Sequence, residues 1–327
     1  MKKNPLVEFA TEAVRKGAQL AHQIQQEIGA SSMTKNDHSP VTLADFAVQA
    51  VVGAQFAQYF PNELLVGEEG ISFFEGAQGE AVLAKVVEFV RSYFPEADSK
   101  SVYSWVHRGE AEPAERFWTL DPIDGTQGYL RGEQYAVALA LVEKGEVEIG
   151  VLGCPHLTPE GKPQNQGGGA VFIAVRGEGA WGAPLEQKAE PFHRLSVSDC
   201  RDLKRACLLR SVEKNHTDVQ RIDDLLKTLG VSAEPVLMDS QAKYAVLAAG
   251  RGDFLVRFPT SSRAVGEMQI WDHAAGSLVV EEAGGRVTDI DGKPLNFTTG
   301  RFLLKNKGIL ATNGSLHSAI LEKAWRC

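Results

Sequence analysis

The sequence predicts a mixed α/β fold in two subdomains, an α+β half over residues 1–190 and an α/β half over residues 191–327. Three observations carry this expectation. Two helical patterns open the chain, strand-like apolar runs follow from Phe117 to Val175, and helices then alternate with strands beyond a charged, proline-containing stretch at 187–191. A chain of 327 residues that is 43% hydrophobic is long enough to bury a large core.

Each element has its own signal. Leu6, Phe9, Ala10, Ala13, Val14, Leu20, Ala21 and Ile24 recur every three or four positions, which predicts an amphipathic helix over 5–28. Leu43, Phe46, Ala47, Ala50, Val51, Ala57 and Phe60 predict a second, ended by Pro61-Asn62, with a polar loop over 34–40 between the two. Residues 117–120, 135–142, 147–152 and 170–175 read as strands, with Lys144-Gly145 as a hairpin turn. The Pro-, Gly-, Gln- and Asn-rich segment 156–169 reads as a surface loop. In the second half, helices are expected over 218–229, 241–249 and 272–283, the last capped by Gly284-Gly285, with a strand over 254–257.

Composition excludes several classes. The longest apolar stretches are far shorter than the ~20 residues a membrane span needs, and Glu8, Glu12 and Arg15 interrupt what would be a signal peptide's apolar region. The four cysteines have neither zinc-ligand spacing nor the density of a disulfide scaffold. A net charge of -8 disfavours non-specific nucleic-acid binding, which needs a basic face. A cytoplasmic protein with no membrane or nucleic-acid partner is expected.

Acidic residues mark the candidate chemistry. Asp121 and Asp124 stand three apart after an apolar strand, in Asp121-Pro122-Ile123-Asp124-Gly125-Thr126. A tight turn there would let two carboxylates and a backbone carbonyl meet a hard cation such as Mg²⁺. The N–H groups beside Gly125 and Thr126 would then face a phosphate oxygen. Glu68-Glu69 ends another apolar run, at a place where strands commonly carry functional side chains. Taken singly, each has a plainer account: Asp-Pro and Asp-Gly make turns, Glu-Glu-Gly ends a strand, Asp45 completes a capping box with Thr42, and Asp272 suits the first turn of a helix.

Their order and context together resemble the lithium-sensitive, magnesium-dependent phosphatase superfamily that includes inositol monophosphatase. The matching segments are Val66-Gly67-Glu68-Glu69, Asp121 through Thr126, and Trp271-Asp272 through Glu282-Ala283-Gly284-Gly285. The resemblance implies a layered αβαβα sandwich with a metal site in the cleft between the subdomains. It also implies two or three Mg²⁺ ions held by Glu68, Asp121, the carbonyl of Ile123, Asp124 and Asp272, with Asp45 and Thr126 as a hydrogen-bonded dyad at the attacking water. Paired metals would neutralise the phosphate, supply the nucleophile and stabilise the leaving oxygen.

Within the superfamily the chain most resembles, over nearly its whole length, the branch that hydrolyses 3′(2′),5′-bisphosphate nucleotides. Residues 125–137, 211–216 and 239–244 carry that likeness, together with the long stretch between Glu69 and Phe117. The resemblance implies a small-molecule substrate, adenosine 3′,5′-bisphosphate or its 5′-phosphosulfate form. Gly125, Thr126, His216, Ser240, Lys243, Arg257 and Asp272 would contact it, Lys243 and Arg257 neutralising the phosphate that is kept. Gln127 departs from the Lys of many relatives. The rival readings are a phosphatase for inositol phosphates or sugar bisphosphates, a nucleotide sensor without turnover, and a structural protein whose acids only cap and turn.

Overall fold

The computed structural model describes residues 4–28, 33–34, 40–164, 168–186, 192–212, 217–259 and 268–324. Helix α1 (Pro5–Ile28) starts at a proline, whose fixed φ and missing N–H suit a first helical position, and Asn4 Oδ1 accepts from the Leu6 amide at 3.0 Å. Its expected apolar stripe is buried. The short strands β1 (Met33–Thr34) and β2 (Pro40–Val41) pair antiparallel and lead into α2 (Leu43–Tyr59). Every α2 residue from Leu43 to Phe56 is buried, because the helix lies against α1 and against α3 (Gly76–Val90) and α4 (Ser99–His107). These last two fill the long stretch before Phe117, where the sequence reading assigned no helix.

Among the described residues the first sheet has seven strands in the order β3 (Leu65–Gly67), β4 (Arg116–Asp124), β5 (Ala136–Glu143), β6 (Glu146–Cys154), β7 (Ala170–Val175), β8 (Gly179–Pro184), β9 (His193–Arg194). Only β3 and β4 pair parallel; the rest is an antiparallel meander. The helix α5 (Thr126–Leu130) links β4 to β5. The expected hairpin turn has positive φ at both residues, 53° at Lys144 and 82° at Gly145, the primed-turn geometry that matches strand twist.

The second sheet has the order β11 (Val236–Leu237), β10 (Leu208–Arg210), β12 (Phe254–Arg257), β14 (Ile309–Thr312), β13 (Arg286–Thr288). Strand β10 runs parallel to β11 and β12, and β14 antiparallel to β12 and β13. The helices of this half are α6 (Val219–Leu229), α7 (Ala242–Ala248), α8 (Ala274–Glu282) and α9 (His317–Ala324).

Three apolar cores stack these elements into five layers. In the first, Trp118, Leu120, Val137, Leu139 and Leu141 pack against α1 and α2. In the second, Phe117, Ala136, Ala138, Ala140 and Val142, the alternate residues of the same strands, pack with α7, α8 and the second sheet. In the third, Leu208, Phe254 and Val256 pack against Ile222 and Leu225 of α6 and Ile320 of α9. The alanines keep the middle layer thin, and a Cβ at Gly150 would lie 2.7 Å from the Ala275 carbonyl. This is the expected αβαβα arrangement. The proposed boundary at 187–191 lies outside the described residues, and β9 extends the first sheet past it to Arg194. No helix among the described residues is long and apolar enough to cross a membrane.

Candidate active site

In a regular strand, residues three apart point to opposite faces. Asp121 and Asp124 escape this because β4 bulges between them: Asp121 pairs with Ala138 and Asp124 with Ala136, so three steps on β4 match two on β5. Pro122, which cannot donate to a ladder, sits within the bulge. Both carboxylates thereby share the Ala136–Ala138 side of the sheet, toward α7 and α8. Gly125 then takes a left-handed conformation, φ 84° and ψ 46°, and caps α5. A Cβ there would meet Ser240 Cβ at 2.8 Å.

Because β3 runs parallel to β4, the Glu68 amide donates to the Leu120 carbonyl at 3.1 Å, which sets Glu68 beside Asp121. Gln49 of α2 holds the next residue from both sides, its Nε2 donating to the Glu69 carbonyl and its Oε1 accepting from the Glu69 amide at 3.0 Å. Asp272 precedes α8 by two residues, and the helix is capped at His273, so the acid does not take the first-turn place that the sequence allowed. Arg257, at the end of β12, donates to Asp272 Oδ2 at 3.4 Å. Gln241 joins the two halves of the site: its amide donates to Asp124 Oδ2 and its side chain donates to the Trp271 carbonyl at 2.9 Å.

Four carboxylates, Glu68, Asp124, Asp272 and Asp45, act on a fifth, Asp121. Burial, then Glu68, Asp124, Asp272 and Asp45, push Asp121 well above the usual carboxylate range. Burial and Asp272 raise Asp124 to about 7, against the lowering effect of Lys243 and the Gln241 amide. Asp121 Oδ1 is buried and has no hydrogen-bond partner. Among the described residues no three acidic, His or Cys side chains converge closely enough to enclose an ion. Asp124, Asp272 and Asp45 each accept a hydrogen bond from a protein donor. An all-oxygen donor set with one buried, unpartnered carboxylate oxygen fits a hard divalent cation.

Asp45 forms the capping box that the sequence left open, with Oδ2 accepting from the Thr42 amide and hydroxyl at 2.7 Å each. The Thr126 hydroxyl donates to the Ile123 carbonyl at 3.1 Å. Asp45 and Thr126 thus each bond a neighbour in their own segment. Ser240 has φ 67°, and its Oγ accepts from the Ala242 amide at 3.1 Å. Lys243 Nζ donates to the Met238 carbonyl at 3.3 Å, within the field of Asp124 and Asp239. His216 lies outside the described residues.

Gln49, Gln241, Arg301 and His273 were not singled out by the sequence. A lone amide in the apolar run 47–52 marks Gln49; the others carry no comparable local signal. His273 is buried, and burial followed by Arg257 and Lys243 holds its ring well below the usual histidine range. Arg257 Nη1 faces its Nε2 at 3.4 Å, so Nε2 accepts and Nδ1–H donates to the Tyr244 hydroxyl at 2.9 Å.

The model of the inositol monophosphatase family matches residues 2–327. A 3′(2′),5′-bisphosphate nucleotidase of Schizosaccharomyces pombe is 37% identical, the match covering 96% of this chain and 93% of that protein. One from Oryza sativa is 38% identical over 96% of this chain and 91% of its own length. Among solved structures, an IMPase of Thermotoga maritima has a TM-score of 0.68 at 22% identity, covering 99% of this chain and 98% of its own. CysQ from Bacteroides thetaiotaomicron, described as a bacterial member of the family, has a TM-score of 0.63 at 20% identity, covering 94% and 97%. From the whole-length family match and these relatives, the chain belongs to the inositol monophosphatase family.

Proposed function

We propose that this chain is a 3′(2′),5′-bisphosphate nucleotidase that hydrolyses the 3′-phosphate of adenosine 3′,5′-bisphosphate to give AMP and phosphate. The observation that carries it is the gathering of Asp45, Glu68, Asp121, Asp124 and Asp272 into one field around the unpartnered Asp121 Oδ1. The relatives named as nucleotidases support the substrate class. Members of this family depend on metal, and the ions proposed are two or three Mg²⁺, as an all-oxygen donor set suits.

The residues that would hold them are Glu68, Asp121, Asp124, Asp272 and the Ile123 carbonyl, and the bound cations would supply neutralisation of the phosphate and of the developing negative charge. The Thr126 hydroxyl gives its proton to Ile123, so its oxygen is left to accept a hydrogen bond from the attacking water and aim it. Asp45, held on α2 by Thr42, accepts the water's proton. The new bond joins the water oxygen to phosphorus, the bond from phosphorus to the ribose 3′-oxygen breaks, and that oxygen takes up a proton from solvent to become the 3′-hydroxyl while Asp45 returns the proton it accepted to solvent. No covalent enzyme intermediate is involved.

Gly125 and Thr126 would face the scissile phosphate, and Lys243, Arg257, Ser240 and His216 the retained 5′-phosphate. Arg257 then exchanges its weak Asp272 contact for a bidentate grip on phosphate. The buried thiol Cys154 and the other free cysteines described, Cys200 and Cys207, are consistent with a reducing, cytoplasmic setting.

The test is phosphate release with Mg²⁺ from adenosine 3′,5′-bisphosphate, its 5′-phosphosulfate form, inositol 1-phosphate and fructose 1,6-bisphosphate, compared side by side. The bisphosphate nucleotides are expected to have the highest kcat/KM. A preference for the inositol ester or the sugar would overturn the assignment.

A further inference from the structure

Arg301 lies outside the acidic segments 66–69, 121–126 and 271–285, yet its contacts reach the residues before Glu68 and before Asp272. Its backbone is paired to the stretch leading into Asp272: the Arg301 carbonyl accepts from the Ile270 amide at 3.1 Å, the Leu303 amide donates to the Met268 carbonyl at 2.8 Å, and Gln269 and Phe302 form an antiparallel bridge. Its guanidinium lies over the Trp271 indole, 4.9 Å from the ring centroid. From there Nη1 donates to the Ala111 carbonyl, in the loop between α4 and β4, at 3.2 Å, and Nη2 donates to the Gly67 carbonyl of β3.

Gly67 and Glu68 share a peptide unit. Its carbonyl is held by Arg301 and its N–H by the Leu120 carbonyl of β4. Gly67 packs directly against Gln49, since a Cβ there would meet Gln49 Oε1 at 2.5 Å. One side chain thus stacks on the residue before Asp272 and bonds the residue before Glu68. Gln241 ties Trp271 to the Asp124 end of β4, and Arg301 adds the tie from Trp271 to the Gly67–Glu68 peptide.

We infer that Arg301 is a positioning residue: it sets the spacing of Glu68 and Asp272 and so governs affinity for the divalent cation. This rests on the reading of those two acids as metal ligands. Residues that orient ligands without touching the metal typically change its affinity about 10–100-fold when removed. A tether that only held the two halves together would change stability instead.

The experiment measures Mn²⁺ binding to the full chain by calorimetry without substrate, alongside the Mg²⁺ concentration for half-maximal turnover. Wild type, Arg301→Ala, Arg301→Lys and Glu68→Gln are compared. Arg301→Ala is expected to weaken Mn²⁺ binding by about 10-fold or more and to raise the Mg²⁺ requirement in parallel. KM for adenosine 3′,5′-bisphosphate at saturating Mg²⁺ should stay within about 3-fold. Arg301→Lys should recover part of the affinity, because an ammonium reaches one carbonyl but lacks the planar fork that spans two. If Arg301→Ala does not fold, Arg301→Lys decides, and wild-type affinity in it overturns the inference. Unchanged Mn²⁺ affinity in a folded Arg301→Ala overturns it as well, while loss in Glu68→Gln alone would leave the metal site standing. Unchanged binding in Glu68→Gln would remove the metal-site reading itself and the inference with it.

Discussion

Gly125→Ala isolates the contact that fastens the β4 bulge to α7. Gly125 has φ 84°, where an L-residue costs roughly 1–2 kcal/mol. The added methyl would also sit 2.8 Å from Ser240 Cβ and 3.2 Å from the Ser240 amide nitrogen, on a residue already held at φ 67°. Neither neighbour is the free end of a flexible chain, so the backbone must yield. The next residue, Gln241, gives its amide to Asp124, a charge-assisted bond whose loss costs about 1.5–3 kcal/mol. Strain and a weakened bond together predict a loss of about 2–4 kcal/mol.

Gly132→Ala is the matched control, since φ is 71° and nothing lies within 4 Å of the added Cβ. It should lose only the conformational 1–2 kcal/mol, on the order of the left-handed cost alone. Urea unfolding and phosphate release measured on both variants separate the terms. Displacing Asp124 by about an ångström should lower kcat/KM roughly 100-fold in Gly125→Ala, with Gly132→Ala within about 3-fold of wild type. Equal stability losses in the two variants, or a fully active Gly125→Ala, would show that the Gly125–Ser240 contact does not hold the site.

Asp121→Asn should reduce turnover by at least about 100-fold while leaving the unfolding midpoint in EDTA unchanged or raised, because it removes a buried charge among four other acids; a large fall in that midpoint would contradict the repulsion. Lys243→Ala should raise KM for adenosine 3′,5′-bisphosphate by about 10-fold with little change in kcat, and should spare 3′-AMP, which lacks the second phosphate; equal losses on both substrates would move Lys243 to the scissile side. His317 is buried; Thr288 gives its proton to the Asp289 carbonyl and so accepts from Nε2–H, and Thr312 donates to Nδ1. Burial, then Arg286, lowers its pKa to about 4, so as pH falls from the ordinary histidine value toward 4 the unfolded chain takes up a proton that the folded chain refuses. Stability should be lost across that window, by about 2 kcal/mol at pH 5, and His317→Gln should flatten that part of the urea-unfolding profile.

Local pattern was enough for much of this chain. The 3.6-residue periodicity of 5–28 became α1 at the same bounds, and the runs at 135–142, 147–152 and 170–175 became β5, β6 and β7 within a residue or two at each end. Those signals survive because burial of one face is a property of the segment itself. The acids of the site were also legible, as a set, from their order along the chain. Their arrangement was not. Whether Asp121 and Asp124 share a face depends on a bulge against β5, whether Glu68 joins them depends on the parallel register of β3 on β4, and whether Asp272 caps a helix depends on where α8 begins. Asp45 went the other way, its side chain accepting from Thr42 as the local capping pattern allowed. Gln241 and Arg301 act on residues far away in sequence, so no window contains both ends of their contacts. Sequence therefore determined the strongly periodic helices and apolar strands such as α1 and β5 to β7, together with the identity of the acids, since these follow from side-chain chemistry over a few residues, whereas α3 and α4 were not read from it. Only the tertiary structure decided which carboxylates face one another, because the repulsion between them is a matter of distance in space.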